Sequence, residues 1–202
     1  AAAAPLRGNA SITVWVDIVP TPPRARRVLW DQWHNVQYPP GFFPRDNLAH
    51  HDLLDWNGDH PHTNFRGLFE QLVGAGFFVE VLGAPYTCFD ASRYGVLVVA
   101  DSEDDFSEEE VAKLARDVAR GLSLLVLADW YHPEVMRKIT FFDDNTQLWW
   151  TPQTGGCHLP GLNRLLRPFG LGLGAGSWKG DVPAGPGAVA TLMSAARVVR
   201  AP

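Results

Sequence analysis

Three apolar runs that each end in an aspartate constrain the fold of this chain more than any other feature. They are Arg27–Asp31 (RVLWD), Tyr94–Asp101 (YGVLVVAD) and Leu122–Asp129 (LSLLVLAD). Runs of this length that are apolar throughout are typical of parallel strands covered by helices on both faces. Because they alternate with helical patterns, the sequence predicts an α/β fold with a doubly wound, mostly parallel, flavodoxin-like sheet.

The segments between these runs supply the helices and one more strand. Apolar residues at helical spacing predict a helix over Thr63–Gly74, and a strand is predicted over Phe77–Leu82. Ser107 and Glu110 form a capping-box pattern, which predicts the start of a second helix. Two more helical patterns occupy His132–Ile139 and Leu159–Phe169.

The two ends of the chain differ from its centre. Ser11–Val19 alternates with a period of two, which predicts a strand, and prolines 20, 22 and 23 then form a stiff linker. We assign residues 1–26 to the last strand of a preceding β domain with its linker, and residues 27–169 to the α/β domain. Residues 170–202 are a glycine-rich segment in which only Val189–Val199 is predicted to form a strand. We expect the chain to be a segment of a longer protein.

Composition excludes some classes of function. The net charge is −5, whereas a nucleic-acid surface needs clustered lysines and arginines. No apolar run approaches the roughly 18 residues that a membrane span requires. Asn9 begins a formal glycosylation acceptor, Asn9-Ala10-Ser11, although so short a pattern also arises by chance.

Asp31, Asp101 and Asp129 end three predicted parallel strands. The carboxyl ends of such strands line the ligand crevice of an open α/β sheet, so the three carboxylates are candidates to hold Mg²⁺ or a polar ligand there. The alternative is that each aspartate only caps a helix or turns the chain.

The histidines give a weak indication of a metal site. Asp59, His60 and His62, with His34 across the loop, suggest zinc, but no third ligand is defined beside the His-x-His pair. We therefore assign neither a metal ligand nor a cofactor.

No catalytic residue can be assigned from the sequence. Cys88 lacks the flanking glycines of a nucleophile elbow, and no serine stands in such a motif. Cys88 and Cys157 are 69 positions apart and match no metal motif, so they could pair or both be buried thiols.

The loop that follows Asp31 is rich in aromatic side chains, among them Trp33, Phe42 and Phe43. Such a loop either packs on the sheet as an ordered cover or presents a surface to a protein partner. Packing is the interpretation we favour, because so many large apolar side chains are costly to leave in water.

Long segments of the sequence resemble the site-1 protease family of subtilisin/kexin-type serine proteases. They include RVLWDQWHNVQYPPGFFPRDN, LDWNGDHPHTNFR, GFFVEVLGAPYTCFDASRYG and VMRKITFFDDNTQLWW. The likeness runs from about Ile12 to Phe169 and falls in the region after the catalytic domain. Cys157 departs from the family pattern, which argues against a disulfide with Cys88.

The resemblance implies a parent serine endopeptidase of the secretory pathway lumen, located in the Golgi, that cleaves membrane-bound transcription factor precursors. Its catalytic triad would lie upstream, and none of its members maps onto this chain. The segment is then a non-catalytic accessory domain that contacts the upstream catalytic domain or a regulatory protein. The alternative is an autonomous ligand- or metal-binding domain that uses Asp31, Asp101 and Asp129.

Overall fold

A computed structural model describes the core of the predicted α/β domain and parts of both flanking segments. The described residues are 11–18, 20–35, 60–62, 65–129, 131, 134, 138, 141–144, 147–150, 157–174, 176, 179–192 and 197–200. No helix in this part of the chain has the length and apolar character of a membrane span.

A four-stranded parallel sheet forms the centre of the structure. Its strands are β1 (Arg27–Asp31), β2 (Phe78–Leu82), β3 (Val96–Ala100) and β4 (Ser123–Leu127), in the spatial order β2-β1-β3-β4. All three pairings are parallel. This order matches the first four strands of a flavodoxin-like sheet, and the predicted doubly wound α/β fold is confirmed.

Helices cover both faces of the sheet. Helix α1 (Arg66–Gly74) is on one face, where Leu68 packs against Val28 and Trp30. Helices α2 (Glu108–Ala119) and α3 (Leu159–Leu166) are on the other face, where their leucines join Leu29 and Leu97 in the larger core. Alternate residues of one strand thus serve two cores, which explains why Val28–Trp30 in the centre of β1 and all of β3 are apolar.

The predicted element boundaries agree with the structure to within a few residues. The capping box at Ser107 and Glu110 starts α2 as predicted. The pattern over Leu159–Phe169 forms α3 followed by a 3-10 turn at Arg167–Phe169. The predicted helix over His132–Ile139 lies mostly outside the described residues.

Three short antiparallel pairs complete the described part. Strands β5 (Phe141–Asp143) and β6 (Leu148–Trp150) pair, as do β7 (Leu171–Gly174) with β10 (Arg197–Arg200), and β8 (Gly180–Gly185) with β9 (Ala188–Leu192). Strands β9 and β10 overlap the predicted strand Val189–Val199, whereas β7 and β8 were not predicted from the sequence. The hairpin turn at Pro186-Gly187 explains part of this, because Gly187 has a φ of 74° and glycine allows a tight turn between strands.

The strand predicted over Ser11–Val19 is not formed. Residues 11–18 lie outside any helix or strand, and all of them are exposed. An alternating sequence makes a strand only when a neighbouring strand accepts its backbone hydrogen bonds, and no described residue pairs with this segment.

Candidate functional site

The carboxyl end of β1 carries a buried network centred on Asp31. Its Oδ2 accepts hydrogen bonds from His34 Nδ1, at 2.8 Å, and from the Tyr86 hydroxyl, at 2.6 Å. Its Oδ1 accepts from the backbone N–H of Trp33 at 3.0 Å. Asp31, His34 and Tyr86 are all 0% exposed, so these groups can satisfy one another but cannot reach a dissolved substrate.

The His34 ring lies between two carboxylates. Its Nε2 is 3.2 Å from Glu110 Oε1, which is an ion-pair distance, although the angles do not make it a hydrogen bond. The ring also stacks near Phe106, with centroids 4.1 Å apart, and meets Tyr86 edge-on. A positive imidazolium would offset part of the negative charge that Asp31 and Glu110 bring into the core.

Glu110 connects this network to the start of α2. Its Oε2 accepts from the backbone N–H and the hydroxyl of Ser107, and its Oε1 accepts from the backbone N–H of Tyr86 at 2.9 Å. Burial alone would raise the pKa of the Glu110 carboxyl, but the hydrogen bonds from Ser107 and Tyr86 outweigh it and lower the pKa. The pKa of Tyr86 is raised well above its ordinary value by burial and by the Asp31 carboxylate.

The loops after β1 and β3 are tied together beside this network. The backbone N–H groups of Glu103 and Asp104 both donate to the carbonyl of His34, at 2.9 and 3.0 Å. In return, Asn35 Nδ2 donates to the carbonyl of Ala100 at 3.1 Å. These bonds satisfy backbone groups at the ends of two buried strands and fix the edge at which an α/β fold places its site.

Asp101 occupies a sharp turn between β3 and α2 with a φ of 48°. A non-glycine residue in this left-handed region is uncommon. Seven residues, 101–107, separate β3 from α2, so this turn is not the tight strand-turn-helix elbow on which α/β hydrolases mount a nucleophile. Here one oxygen of Asp101 accepts the backbone N–H of Asp129 at 3.3 Å, so its carboxylate joins the ends of β3 and β4.

Cys157 and His158 lie next to this turn. The Cys157 thiol donates a hydrogen bond to the carbonyl of Asp129. The backbone N–H of His158 donates to the carbonyl of Ser102 at 2.6 Å. Burial, followed by the nearby Asp101 and Asp129 carboxylates, strongly raises the pKa of the Cys157 thiol. A thiol with a raised pKa is protonated at neutral pH and is a poor nucleophile.

The three predicted crevice aspartates do not share one environment. Asp101 and Asp129 are adjacent, whereas Asp31 is enclosed in its own network with His34 and Tyr86. That the three aspartates bind a common ligand remains a prediction. Within the described residues, no three histidine, cysteine or acidic side chains are grouped to hold a metal ion.

The remaining predicted residues have separate positions. Trp33 is partly exposed, at 36%, while Phe42, Phe43, Asn9 and Asp59 lie outside the described residues. His60 Nδ1 accepts the backbone N–H of His62 at 3.0 Å. Cys88 is exposed and Cys157 is buried, and both are free thiols, so they are not joined by a disulfide.

Sequence reasoning missed Tyr86 as a partner of Asp31 and Glu110 as a neighbour of His34. The capping box placed Glu110 on the first turn of α2, but it did not indicate that the same carboxylate also faces His34. Tyr86 carries no local pattern, because its partner is 55 positions away in the sequence.

Comparison with known proteins places this chain in a family. Residues 22–202 match the family described as "MBTPS1, fourth GATase-like domain". The chain is 57% identical over 174 residues to the membrane-bound transcription factor site-1 protease of Homo sapiens, covering 86% of this chain and 16% of that protein. It is 56% identical to the Mus musculus protein over the same length, with the same coverage.

A plant relative gives the same result. The subtilisin-like protease SBT6.1 of Arabidopsis thaliana is 51% identical over 179 residues, which are 88% of this chain and 17% of the relative. This chain thus spans only 16 to 17% of these curated relatives. It belongs to the site-1 protease family, and it matches the fourth GATase-like domain of that family.

Proposed function

We propose that this chain is a non-catalytic accessory domain of a site-1-protease-like serine endopeptidase. In this proposal the parent enzyme cleaves membrane-bound transcription factor precursors in the secretory pathway, in the Golgi. The partner of the domain is the catalytic domain of the same polypeptide, and the domain stabilises or positions it. A regulatory protein that contacts Trp33, Phe42 and Phe43 is part of the same proposal.

The observation that carries the proposal is that, among the described residues, the groups at the carboxyl edge that are suited to chemistry make structural contacts. Asp101 directly follows β3, and its carboxylate accepts a hydrogen bond from the backbone N–H of Asp129. His34 is buried between Asp31 and Glu110. Cys157 is buried and donates to a backbone carbonyl. Nucleophilic catalysis needs an accessible, activated nucleophile beside a base.

The first test is an activity assay on the purified 202-residue chain. A fluorogenic peptide with an arginine before the scissile bond should remain uncleaved, at the rate of a buffer blank. Turnover that a serine-directed inhibitor abolishes would overturn the non-catalytic assignment.

The second test separates stabilisation from catalysis in the full-length parent protein. Glu110→Gln weakens the buried network, while Glu109→Gln, one residue earlier on an exposed face of α2, is the matched control. We expect Glu110→Gln to lower the yield of folded protease, with kcat/KM per titrated active site unchanged. A loss of kcat/KM at equal folded yield would instead give this domain a part in catalysis.

A ligand-binding domain is the second candidate, and the adjacency of Asp101 and Asp129 at the sheet edge favours it. Binding to the native state raises the melting temperature, so Mg²⁺ or a nucleotide at millimolar concentration should raise that of the chain. Asp101→Asn should remove the shift. An unchanged melting temperature with both ligands would eliminate this candidate.

A further inference from the structure

The N-terminal arm, residues 11–18, exposes more large apolar side chains than any other short segment of the described chain. Ile12 is 88% exposed, Trp15 is 92% exposed and Ile18 is 96% exposed. Side chains of this size are seldom left in water as a contiguous group, so such a segment marks an interaction site.

The arm has the sequence of a strand that buries one face. Its even positions, Ile12, Val14, Val16 and Ile18, are all branched and apolar, whereas its odd positions are Ser11, Thr13, Trp15 and Asp17. In an extended chain successive side chains point to opposite faces, so the even row would face a core and the odd row would be more exposed to solvent. No described residue pairs with the backbone of the arm, and a sheet edge would satisfy its N–H and C=O groups.

The base of the arm is held firmly to the α/β domain. Arg24 Nη2 donates to the carbonyl of Gly121, beyond the end of α2, and Arg26 Nη1 donates to the carbonyl of Ala75 at the end of α1. Arginines at these positions bind carbonyls that a helix leaves unpaired at its C-terminus. One 3-10 turn, Arg24–Arg26, is thereby fixed to helices on both faces of the sheet.

Close backbone packing adds to this anchor. A Cβ placed on Gly95 would be 2.9 Å from the Arg24 carbonyl oxygen and 3.2 Å from Ala25 Cα, so the turn lies directly against β3. Pro23, just before the turn, has φ −62° and ψ 153°, the conformation of a polyproline II segment. A proline-rich spacer of this kind is semi-rigid, so it holds the arm away from the sheet of its own domain.

We infer that the arm adds as a strand to an open sheet edge of another domain in the same, longer polypeptide. The even row, Ile12 to Ile18, would pack into the core of that domain. Two observations favour a partner in the same chain. The family match starts at residue 22, after the arm, and the relatives extend far beyond the region they share with this chain. The inference goes beyond the accessory function, which does not depend on it.

Hydrogen exchange in the full-length parent protein tests the inference. Amides of residues 11–18 should exchange at least about 100-fold more slowly there than in the 202-residue chain, because pairing protects backbone amides. Equally fast exchange in both proteins would overturn it. If protection of these amides appears in the 202-residue chain as its concentration rises, the inference would also be overturned. The arm would then pair with a second copy of the chain.

Two matched variants test which face is buried. Val14→Asp changes the even row and Thr13→Asp changes the odd row, and both positions are exposed in the 202-residue chain. Neither variant should alter the melting temperature of that chain. In the full-length protein, Val14→Asp should abolish the protection of residues 11–18 and Thr13→Asp should retain most of it. Equal effects of the two variants would refute one-sided burial in a sheet.

Discussion

The hydroxyl of Tyr86 offers a sharp test of the buried network. It donates to Asp31 Oδ2 at 2.6 Å, and both residues are 0% exposed. Tyr86→Phe removes this one donor and keeps the ring that packs against Phe106 and His34. Because a hydrogen bond to a charged group contributes about 1.5–3 kcal/mol, the free energy of unfolding should fall by that amount.

Urea unfolding followed by near-ultraviolet circular dichroism measures this loss, provided that the slope with urea is unchanged. A double-mutant cycle with Asp31→Asn then isolates the pair. In the Asp31→Asn background the acceptor is a neutral amide, so Tyr86→Phe should cost only about 0.5–1.5 kcal/mol. A loss below about 0.5 kcal/mol in the native background would refute an ionised Asp31 as the acceptor of this bond.

Three further predictions follow from the same structure. Glu110 has a lowered pKa, so its contribution to stability is present above about pH 4.3, the ordinary glutamate pKa, and is lost as pH falls through the folded-state value. The difference in unfolding free energy between the native chain and Glu110→Gln should therefore shrink as urea titrations move from pH 7 to acid, and a constant difference would contradict this. Iodoacetamide at neutral pH should label exposed Cys88 and leave Cys157 unlabelled in peptide mass maps, because the raised pKa keeps the buried thiol protonated. Equal labelling rates would show that Cys157 is accessible. Gly161→Ala should destabilise the chain by about 1–3 kcal/mol through overpacking, since its Cβ would meet the Asp104 carbonyl oxygen and His158 Cδ2 at 2.8 Å. The control Gly67→Ala in α1 has open space and should stabilise by about 0.5–1 kcal/mol; equal effects in thermal melts would contradict the packing.

The sequence predicted the sheet well because its signals are local. Apolar runs mark β1, β3 and β4, and the capping box marks the start of α2, each within a few consecutive residues. The strand predicted over Ser11–Val19 is not formed at residues 11–18, for a related reason. The alternation indicates that the segment can form a strand with one apolar face. Whether it does so depends on a neighbouring strand, which the sequence of the segment does not reveal.

The candidate site was harder to predict, because its contacts join distant parts of the chain. The sequence identified the three aspartates that follow strands, but it did not show that they have different roles in the structure. Asp31 meets Tyr86 from a turn 55 positions away, and Asp101 meets the backbone of Asp129 across two strands. Only the tertiary fold shows that the Asp31 carboxylate is enclosed and that the Asp101 carboxylate contacts the backbone of Asp129.

The placement of charge in this domain bears on where its partners can bind. Asp31, Glu110 and His34 lie inside the core at the carboxyl edge, where burying charges costs free energy unless their partners are in place. The hydrogen bonds that Asp31 and Glu110 accept offset part of this cost, and Asp31, His34 and Tyr86 are fully buried. The described segment that exposes the most large apolar side chains lies before the opposite end of β1, on the arm that precedes Arg24 and Arg26. The network at the carboxyl edge is thus enclosed within its own domain. In the proposal above, the N-terminal arm is the place where the domain gains free energy by burying apolar surface against a neighbour.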